Sequence, residues 1–178
     1  MKKLVVILLL FFSTISAQGA DNQIDLSSQE TFKILGIELG KDTIDDLEKV
    51  TKGKNCRIGK RNECYALSKE CFDLPGDYTI GYYFDPVTKK ISSIDFLLEI
   101  NSLDGLAAMD KYLDALKTKY GKPSSHDYIT DLWTWKWDFP NLNIDVSRTP
   151  QVFSIIYTSG IVTKMVKDRE LKKITSQM

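Results

Sequence analysis

The chain has 178 residues, its 24 basic and 24 acidic side chains leave no net charge at pH 7, and 43% of its residues are apolar. This balance excludes the strongly basic composition of a general nucleic-acid-binding protein. The apolar content excludes a disordered chain, and the length is enough for one domain with a sizeable hydrophobic core.

The first twenty residues have the layout of a secretory signal peptide. Lys2 and Lys3 precede an apolar run at residues 4–12, which is too short to span a bilayer as a stable helix, and small residues follow. No cysteine stands after the run to accept a lipid, so we expect no stable membrane anchor. Removal of residues 1–20 is predicted to give a soluble periplasmic or secreted protein. Loss of Lys2 and Lys3 from the 24 basic residues leaves 22 against 24 acidic ones, a net charge of about −2.

Polar residues 21–31 are expected to form a flexible N-terminal segment. The apolar residues at 32–40 then indicate a short strand broken by glycines. Asp42 or Thr43 is predicted to cap a helix that ends at Gly53, because apolar residues recur between them at helical spacing.

Two strands are predicted next, at residues 78–84 and 91–100. Large apolar side chains alternate with other residues along both segments, which is the pattern of a half-buried strand. The loop at 85–90 contains Pro86, a residue that favours turns, and is predicted to join the strands as a hairpin.

A longer helix is predicted from residue 101 or 102 to residue 120, because Gly121 and Pro123 stop it. The loop at 123–127 follows. Three further strands are predicted at 132–139, 142–146 and 152–158. Residues 160–178 suit a short amphipathic helix that frays at its end.

The predicted elements repeat a helix followed by a meander of strands. We expect residues 32–100 and 101–178 to form two such halves of one compact domain. The fold class is therefore predicted to be α+β, with one curved antiparallel sheet covered by helices on one face.

Two short segments resemble a known group of exported domains. They are GIELG at residues 36–40, before a capped helix, and YGKP at residues 120–123, which closes the second helix. This punctuation resembles the β-lactamase-inhibitory-protein-like and SmpA/BamE-like group. The resemblance implies a helix followed by antiparallel strands, used once or in tandem, and binding of other proteins through the sheet or its loops. BamE is lipidated, whereas this chain lacks the lipid-bearing cysteine, and no functional residue is carried over.

Trp133, Trp135 and Trp137 are the most conspicuous candidates for a binding site. At a spacing of two they share one face of a strand. If that face meets the helices, the three side chains belong to the core. If it is the open face, they form an apolar patch suited to a protein interface.

A basic segment is the second candidate. Lys54, Arg57, Lys60 and Arg61 lie close together with few acidic residues among them. Such a segment could meet an acidic protein surface, an anionic glycan or a lipid headgroup, and the alternative is a solvated loop without a specific role.

The three cysteines, Cys56, Cys64 and Cys71, lie in one short stretch, and export favours a disulfide. A turn at residues 59–61 would place Cys56 opposite Cys64, so this pair is the preferred disulfide. Cys71 would then be left over, either buried or as a reactive or intermolecular thiol.

No catalytic or metal-binding pattern emerges. His126 is the single histidine, and although Asp127 is adjacent, neighbouring side chains rarely converge on a triad. The cysteines are spaced too widely for a typical zinc site. Phosphate-cradling and HExxH motifs are missing, so no cofactor, metal or enzymatic activity is expected.

Two functions lead, and an enzyme with His126 as its acid or base ranks third. The leading hypothesis is an exported protein-binding module, an inhibitor, an immunity-type protein or an envelope accessory protein, whose partner is another envelope or secreted protein. The alternative is a periplasmic carrier of a small apolar or anionic ligand held between the sheet and the helices.

Overall fold

The computed structural model describes residues 32–54, 58–61, 64–67 and 71–175, with backbone and strand pairing alone for 58–61 and 64–67. The predicted signal peptide at 1–20 and the predicted flexible segment at 21–31 lie outside the described residues. Three helices and ten strands in the described parts of the chain form an α+β fold, as predicted.

The first half of the chain contains a short hairpin, one helix and four strands. The hairpin pairs β1 (Lys33–Ile34) with β2 (Ile37–Glu38). The predicted single strand at 32–40 is thus two strands, because Leu35 and Gly36 adopt φ values of 51° and 86° and reverse the chain. The helix and the four-stranded meander that follow are α1 (Ile44–Thr51), β3 (Ile58–Arg61), β4 (Cys64–Leu67), β5 (Tyr78–Phe84) and β6 (Ile91–Glu99).

The second half repeats this order with a longer helix. Its elements are α2 (Leu103–Tyr120), β7 (Ser125–Ile129), β8 (Leu132–Phe139), β9 (Leu142–Arg148), β10 (Val152–Ser159) and a final helix, α3 (Gly160–Thr175). The expectation of a loop at 123–127 is wrong, because β7 begins at Ser125. The C-terminal helix has 16 residues, longer than the short helix expected.

Eight strands form one antiparallel sheet in the order β3-β4-β5-β6-β10-β9-β8-β7. Each half therefore supplies a meander, and the two meanders meet where β6 pairs with β10, with Phe96 opposite Ile155. We call this pairing the seam. It places β3 and β7 at the two outer edges of the described sheet.

Local sequence signals set the ends of the helices. The carboxylate of Asp46 accepts hydrogen bonds from the backbone N–H and the hydroxyl of Thr43, at 3.0 and 2.9 Å, and so closes the first turn of α1. The hydroxyl of Ser102 accepts from the N–H of Gly105 at the start of α2. Gly121, at a φ of 77°, ends α2 as predicted.

The core lies on one face of the sheet. Alternation within each strand and antiparallel register align the inward side chains in rows across the strands. One row runs through Ile80, Phe96, Ile155 and Val146, all of them buried. Ile44 and Leu47 of α1 and Ala108, Met109 and Leu116 of α2 belong to the same apolar cluster, so these helices cover that face.

The opposite face of the sheet is largely polar. Ser147 and Ser154 share a hydrogen bond of 2.8 Å between their hydroxyls, and the ammonium of Lys136 lies 3.5 Å from a carboxylate oxygen of Asp145. This division of apolar and polar faces is the usual one for an antiparallel sheet that is covered on one side.

An ion pair ties α3 to the hairpin loop between β5 and β6. The guanidinium of Arg169 donates a hydrogen bond of 2.9 Å to the carboxylate of Asp85, whose residue is 5% exposed. Thr88 donates to the second carboxylate oxygen through its N–H and its hydroxyl, at 2.9 and 2.7 Å. Burial alone would raise the pKa of Asp85, but these hydrogen bonds from Thr88 and Arg169 outweigh it and lower the pKa to about 2.

Candidate protein-binding site

The three tryptophans of β8 lie on the helix-covered face but differ in burial. Trp137 is 1% exposed, and its indole N–H donates a hydrogen bond of 3.0 Å to the carbonyl of Gly121. Trp135 packs against the core while remaining half-buried, and Trp133 is half-buried as well. The row therefore starts in the core and runs outward toward the tip of the β7–β8 hairpin.

Strand register surrounds the two outer tryptophans with further aromatic and cationic side chains. His126 of β7 lies opposite Trp135, Tyr128 lies opposite Trp133, and Arg148 of β9 lies on the other side of Trp133. We call these five residues the aromatic edge cluster.

The side chains of the cluster stack in two groups. The rings of His126 and Trp135 are nearly parallel, with 9° between their planes and 5.1 Å between their centroids. The rings of Tyr128 and Trp133 are 4.7 Å apart, and the guanidinium carbon of Arg148 lies 4.8 Å from the centroid of Trp133. Stacking of this kind holds the rings in fixed positions and leaves outward surfaces open.

The cluster is partly exposed because its outer members belong to the edge strand β7. Every residue of β7 is exposed, including Tyr128 at 56% and Ile129 at 71%. Leu132, across the turn, is 38% exposed. Large apolar surface that is open to water costs free energy in an isolated protein, and contiguous patches of it commonly mark interaction sites.

The turn at the tip of this hairpin is strained. Thr130 and Asp131 have φ values of 38° and 64°, in the left-handed region that a β-branched residue such as threonine adopts at a cost. Two-residue hairpin turns with both central residues in this region normally use Asn-Gly or Asp-Gly. The tip therefore keeps a conformation that its side chains disfavour.

Arg148 has no acidic partner among the described residues, and its Nε–H is buried and makes no hydrogen bond there. A guanidinium stacked on an indole is oriented while most of its donors remain open to a further acceptor. The arrangement can therefore receive a carboxylate or a carbonyl next to an apolar contact on Trp133.

The basic segment lies at the other edge of the sheet. Lys60 and Arg61 belong to β3 and not to a loop, so the expected basic loop is in part an edge strand. Lys54 is exposed, with its ammonium 4.1 Å from the ring centroid of Phe72. Arg57 lies outside the described residues, as do the side chains of Lys60 and Arg61.

The two sequence-predicted surfaces are far apart. Seven strand spacings separate β3 from β7, roughly 34 Å. The structure therefore does not bring the basic segment and the tryptophans into one site.

The cysteine predictions require correction. The register pairs Arg61 with Cys64, so residues 59–61 are not the predicted turn and do not place Cys56 opposite Cys64. Cys71 is 4% exposed and disulfide-bonded, so the interpretation of Cys71 as the leftover thiol is wrong. The disulfide between Cys56 and Cys64 stays a prediction. The side chains of Cys56 and Cys64 lie outside the described residues.

His126 is positioned for stacking and not for a triad with its neighbour. Asp127 is paired with Thr134, one register position along, so it lies on the opposite face of β7 from His126. Among the described residues, no group of three or more His, Cys, Asp or Glu side chains could hold a metal ion.

Three members of the aromatic edge cluster were missed in the sequence. His126 and Tyr128 alternate in the same way as Trp135 and Trp133, and the residues between Ile129 and Leu132 form a two-residue turn. That mirrored alternation is the signal that could have revealed them. Arg148 carries no such signal, because its position beside Trp133 depends on the register of β8 with β9.

No family model matches the chain, and no curated protein matches it. A crystal structure of a DUF4309 family protein, YjgB from Bacillus subtilis, is similar with a TM-score of 0.48 and 12% sequence identity, over 78% of this chain and 93% of that one.

No helix in the described part of the chain is long and apolar enough to cross a membrane. The three described helices, α1, α2 and α3, all carry charged residues along their length.

Proposed function

We propose that this chain is a protein-binding module and that the aromatic edge cluster is its contact surface. The observation that carries the proposal is the stacked, half-exposed group of Tyr128 and Trp133 on the edge hairpin with Arg148 of the neighbouring strand β9. Trp, Tyr and Arg are the residue types most enriched among side chains that dominate binding energy in protein interfaces.

The edge strand β7 adds a second means of contact. An edge strand presents unpaired backbone donors and acceptors along one side, and an extended segment of another protein can pair with them. Side chains of such a segment would reach Tyr128 and Trp133 on one face of the sheet. An acidic residue of a partner segment that lies across the helix-covered face would meet the guanidinium of Arg148.

The partner class follows from the predicted signal peptide. If residues 1–20 direct export, the partner is another envelope or secreted protein, and the chain acts as an inhibitor, an immunity-type protein or an envelope accessory protein. The contact surface is the same in each of these roles. Its aromatic rings and its guanidinium suit a partner segment that is apolar and weakly acidic.

The test starts with affinity capture from envelope extract of the producing cells, followed by titration of the purified partner. Trp133→Ala is expected to raise the dissociation constant about 30-fold, which is the effect of truncating a residue at the centre of an interface. The matched control is Lys136→Ala, on the same strand but on the opposite face, which should leave the dissociation constant unchanged.

A second arm separates the two edges of the sheet. Charge reversal at Lys60 and Arg61 should change the salt dependence of binding at most, because the basic segment lies at the far edge. Unchanged affinity in Trp133→Ala, together with loss of binding after the charge reversal, would contradict the proposal and assign the contact to the basic segment.

A further inference from the structure

A separate cavity of about 160 Å³ lies between α2, the β1–β2 hairpin and the seam of the sheet. Its walls are mostly apolar. They include Phe96 of β6 and Ile155 of β10, which face each other across the seam, and Leu116 of α2. Leu35, in the turn of the β1–β2 hairpin, closes another side.

Two lysines line this cavity, the exposed Lys33 of β1 and the half-buried Lys119 of α2, and only Lys119 has lost much of its contact with water. Lys119 of α2 is half-buried, and no described carboxylate lies within ion-pair distance of its ammonium, which is 5.0 Å from the ring centroid of Tyr120. Burial lowers the pKa of Lys119, because its ammonium loses water without gaining an opposite charge. By comparison, Lys117 on the same helix is near Asp114, at 3.9 Å.

Two tyrosines add neutral donors. Tyr120 and Tyr157 line the cavity, and neither hydroxyl makes a hydrogen bond to another described residue. Burial raises the pKa of both hydroxyls, so they stay protonated at neutral pH. Tyr112 differs, since its hydroxyl donates a hydrogen bond of 2.9 Å to the carbonyl of Pro75.

We propose that this cavity binds a small aromatic monocarboxylate, with its ring between α2 and the seam and its carboxylate on the ammonium of Lys119. An apolar cavity of roughly 150 Å³ accepts a benzene ring, which matches the volume found here. A carboxylate would give Lys119 the missing opposite charge and could accept hydrogen bonds from a tyrosine hydroxyl. The site is independent of the aromatic edge cluster, which lies at the outer edge of the sheet.

The experiment is a titration of the full-length protein with benzoate, followed by amide NMR shifts and by calorimetry. Benzoate is expected to bind and to shift resonances of α2 and of β10 near Tyr157. Benzamide has the same ring without the charge and should bind about tenfold more weakly. The absence of saturable shifts with benzoate at millimolar concentration would overturn the proposal.

Variants locate the site. Lys119→Gln should reduce benzoate affinity about tenfold and remove the preference for benzoate over benzamide. Lys117→Gln, on the same helix, should bind benzoate like the unchanged protein. Equal benzoate affinity in the Lys119 and Lys117 variants would overturn the proposed carboxylate contact.

A variant whose larger side chain fills the cavity tests ligand binding independently of the Lys119 variant. Ala115 lines the cavity, and Ala115→Leu places additional methyl groups in it, so binding of both benzoate and benzamide should be lost. A melting curve of this variant confirms that it is folded. Retained binding in the folded variant would place the ligand elsewhere and overturn the proposal.

Discussion

The two halves of the molecule share an order of elements but differ where they reach the edges of the sheet. Each half has a helix followed by four antiparallel strands, and the innermost strands, β6 and β10, are long and meet at the seam. The helices differ, with 8 residues in α1 and 18 in α2. The outer hairpins differ more, since β3 and β4 have 4 residues each while β7 and β8 have 5 and 8.

This difference shows which parts of the fold are constrained by packing. Inner strands in both halves bury their inward side chains, as Ile94 and Ile144 do. In the edge strands, the side chains on the same face of the sheet extend beyond the core. Core packing therefore does not fix their identity. In the second half the outer positions hold stacked aromatic rings, and in the first half the outer strand carries Lys60 and Arg61.

The largest expected effect separates core from edge within β8. Trp137→Ala removes a buried indole and its hydrogen bond, and should lower the free energy of unfolding by about 3–5 kcal/mol. Trp133 lies four residues nearer the hairpin tip on the same strand, and Trp133→Ala should lower the free energy of unfolding by about 1 kcal/mol or less. Urea denaturation measures both, and similar losses for the two variants would contradict the division into core and edge.

The next effect concerns the link between the end of the second half and the first half. Arg169→Met removes the partner of the buried Asp85 carboxylate and should reduce stability at neutral pH by about 2 kcal/mol. Because the pKa of Asp85 is lowered, its stabilising contribution is present above the unfolded value of about 3.9 and is lost as the pH falls toward 2. Denaturation at a series of pH values should therefore show the difference between variant and unchanged protein narrowing below about pH 4. A constant difference would mean that Arg169 acts through packing alone.

A smaller effect, of opposite sign, is expected in the first half. The hydroxyl of Tyr82 is buried and has no hydrogen-bond partner among the described residues, and burial raises its pKa. Tyr82→Phe removes this unsatisfied group with little change of shape, so stability should rise by about 1 kcal/mol. Tyr112→Phe is the matched control, since it deletes a hydroxyl that does donate a hydrogen bond and should be destabilising. Urea denaturation measures both variants. A shift of the midpoint at an unchanged dependence on urea concentration gives the change in the free energy of unfolding.

The smallest effect tests the strained tip of the aromatic hairpin. Replacement of Thr130 by Asn and Asp131 by Gly supplies residues that accept positive φ, and should stabilise the protein by about 0.5–1 kcal/mol. The thermal midpoint measures this gain. Partner affinity should stay the same if the tip only connects β7 to β8, and a loss of affinity would show that the side chains of the turn take part in binding.

The sequence predicts the inner strands well because they alternate strictly. The segments predicted at 78–84 and 91–100 match β5 and β6 closely. By contrast, β7 lacks apolar alternation because all its residues are exposed, and β3 contains Gly59 and charged residues. An edge strand pairs with one neighbouring strand and faces water on its other side. Its amino-acid composition therefore predicts a strand less clearly.

The candidate site was predicted in part for the same reason. The common face of the tryptophans follows from their spacing alone. Their separation into a core residue and two edge residues depends on where α2 ends and on which strand follows β8 in the sheet. The position of Arg148 beside Trp133 likewise depends on pairing between β8 and β9, and the seam depends on pairing of strands that are distant in the chain.

The seam also bears on how the chain assembles. Every other pair of neighbouring strands in the described eight-stranded sheet is consecutive along the chain, so loops of limited length close those pairings. The pairing of β6 with β10 instead joins residues that are distant in the chain, from Glu99 with Val152 to Ser93 with Thr158. A chain cut between Ile100 and Leu103 would keep both meanders whole and would have to restore one strand pairing by association. The molecule is therefore suited to fragment complementation, with the seam as the surface along which two separately made pieces recombine.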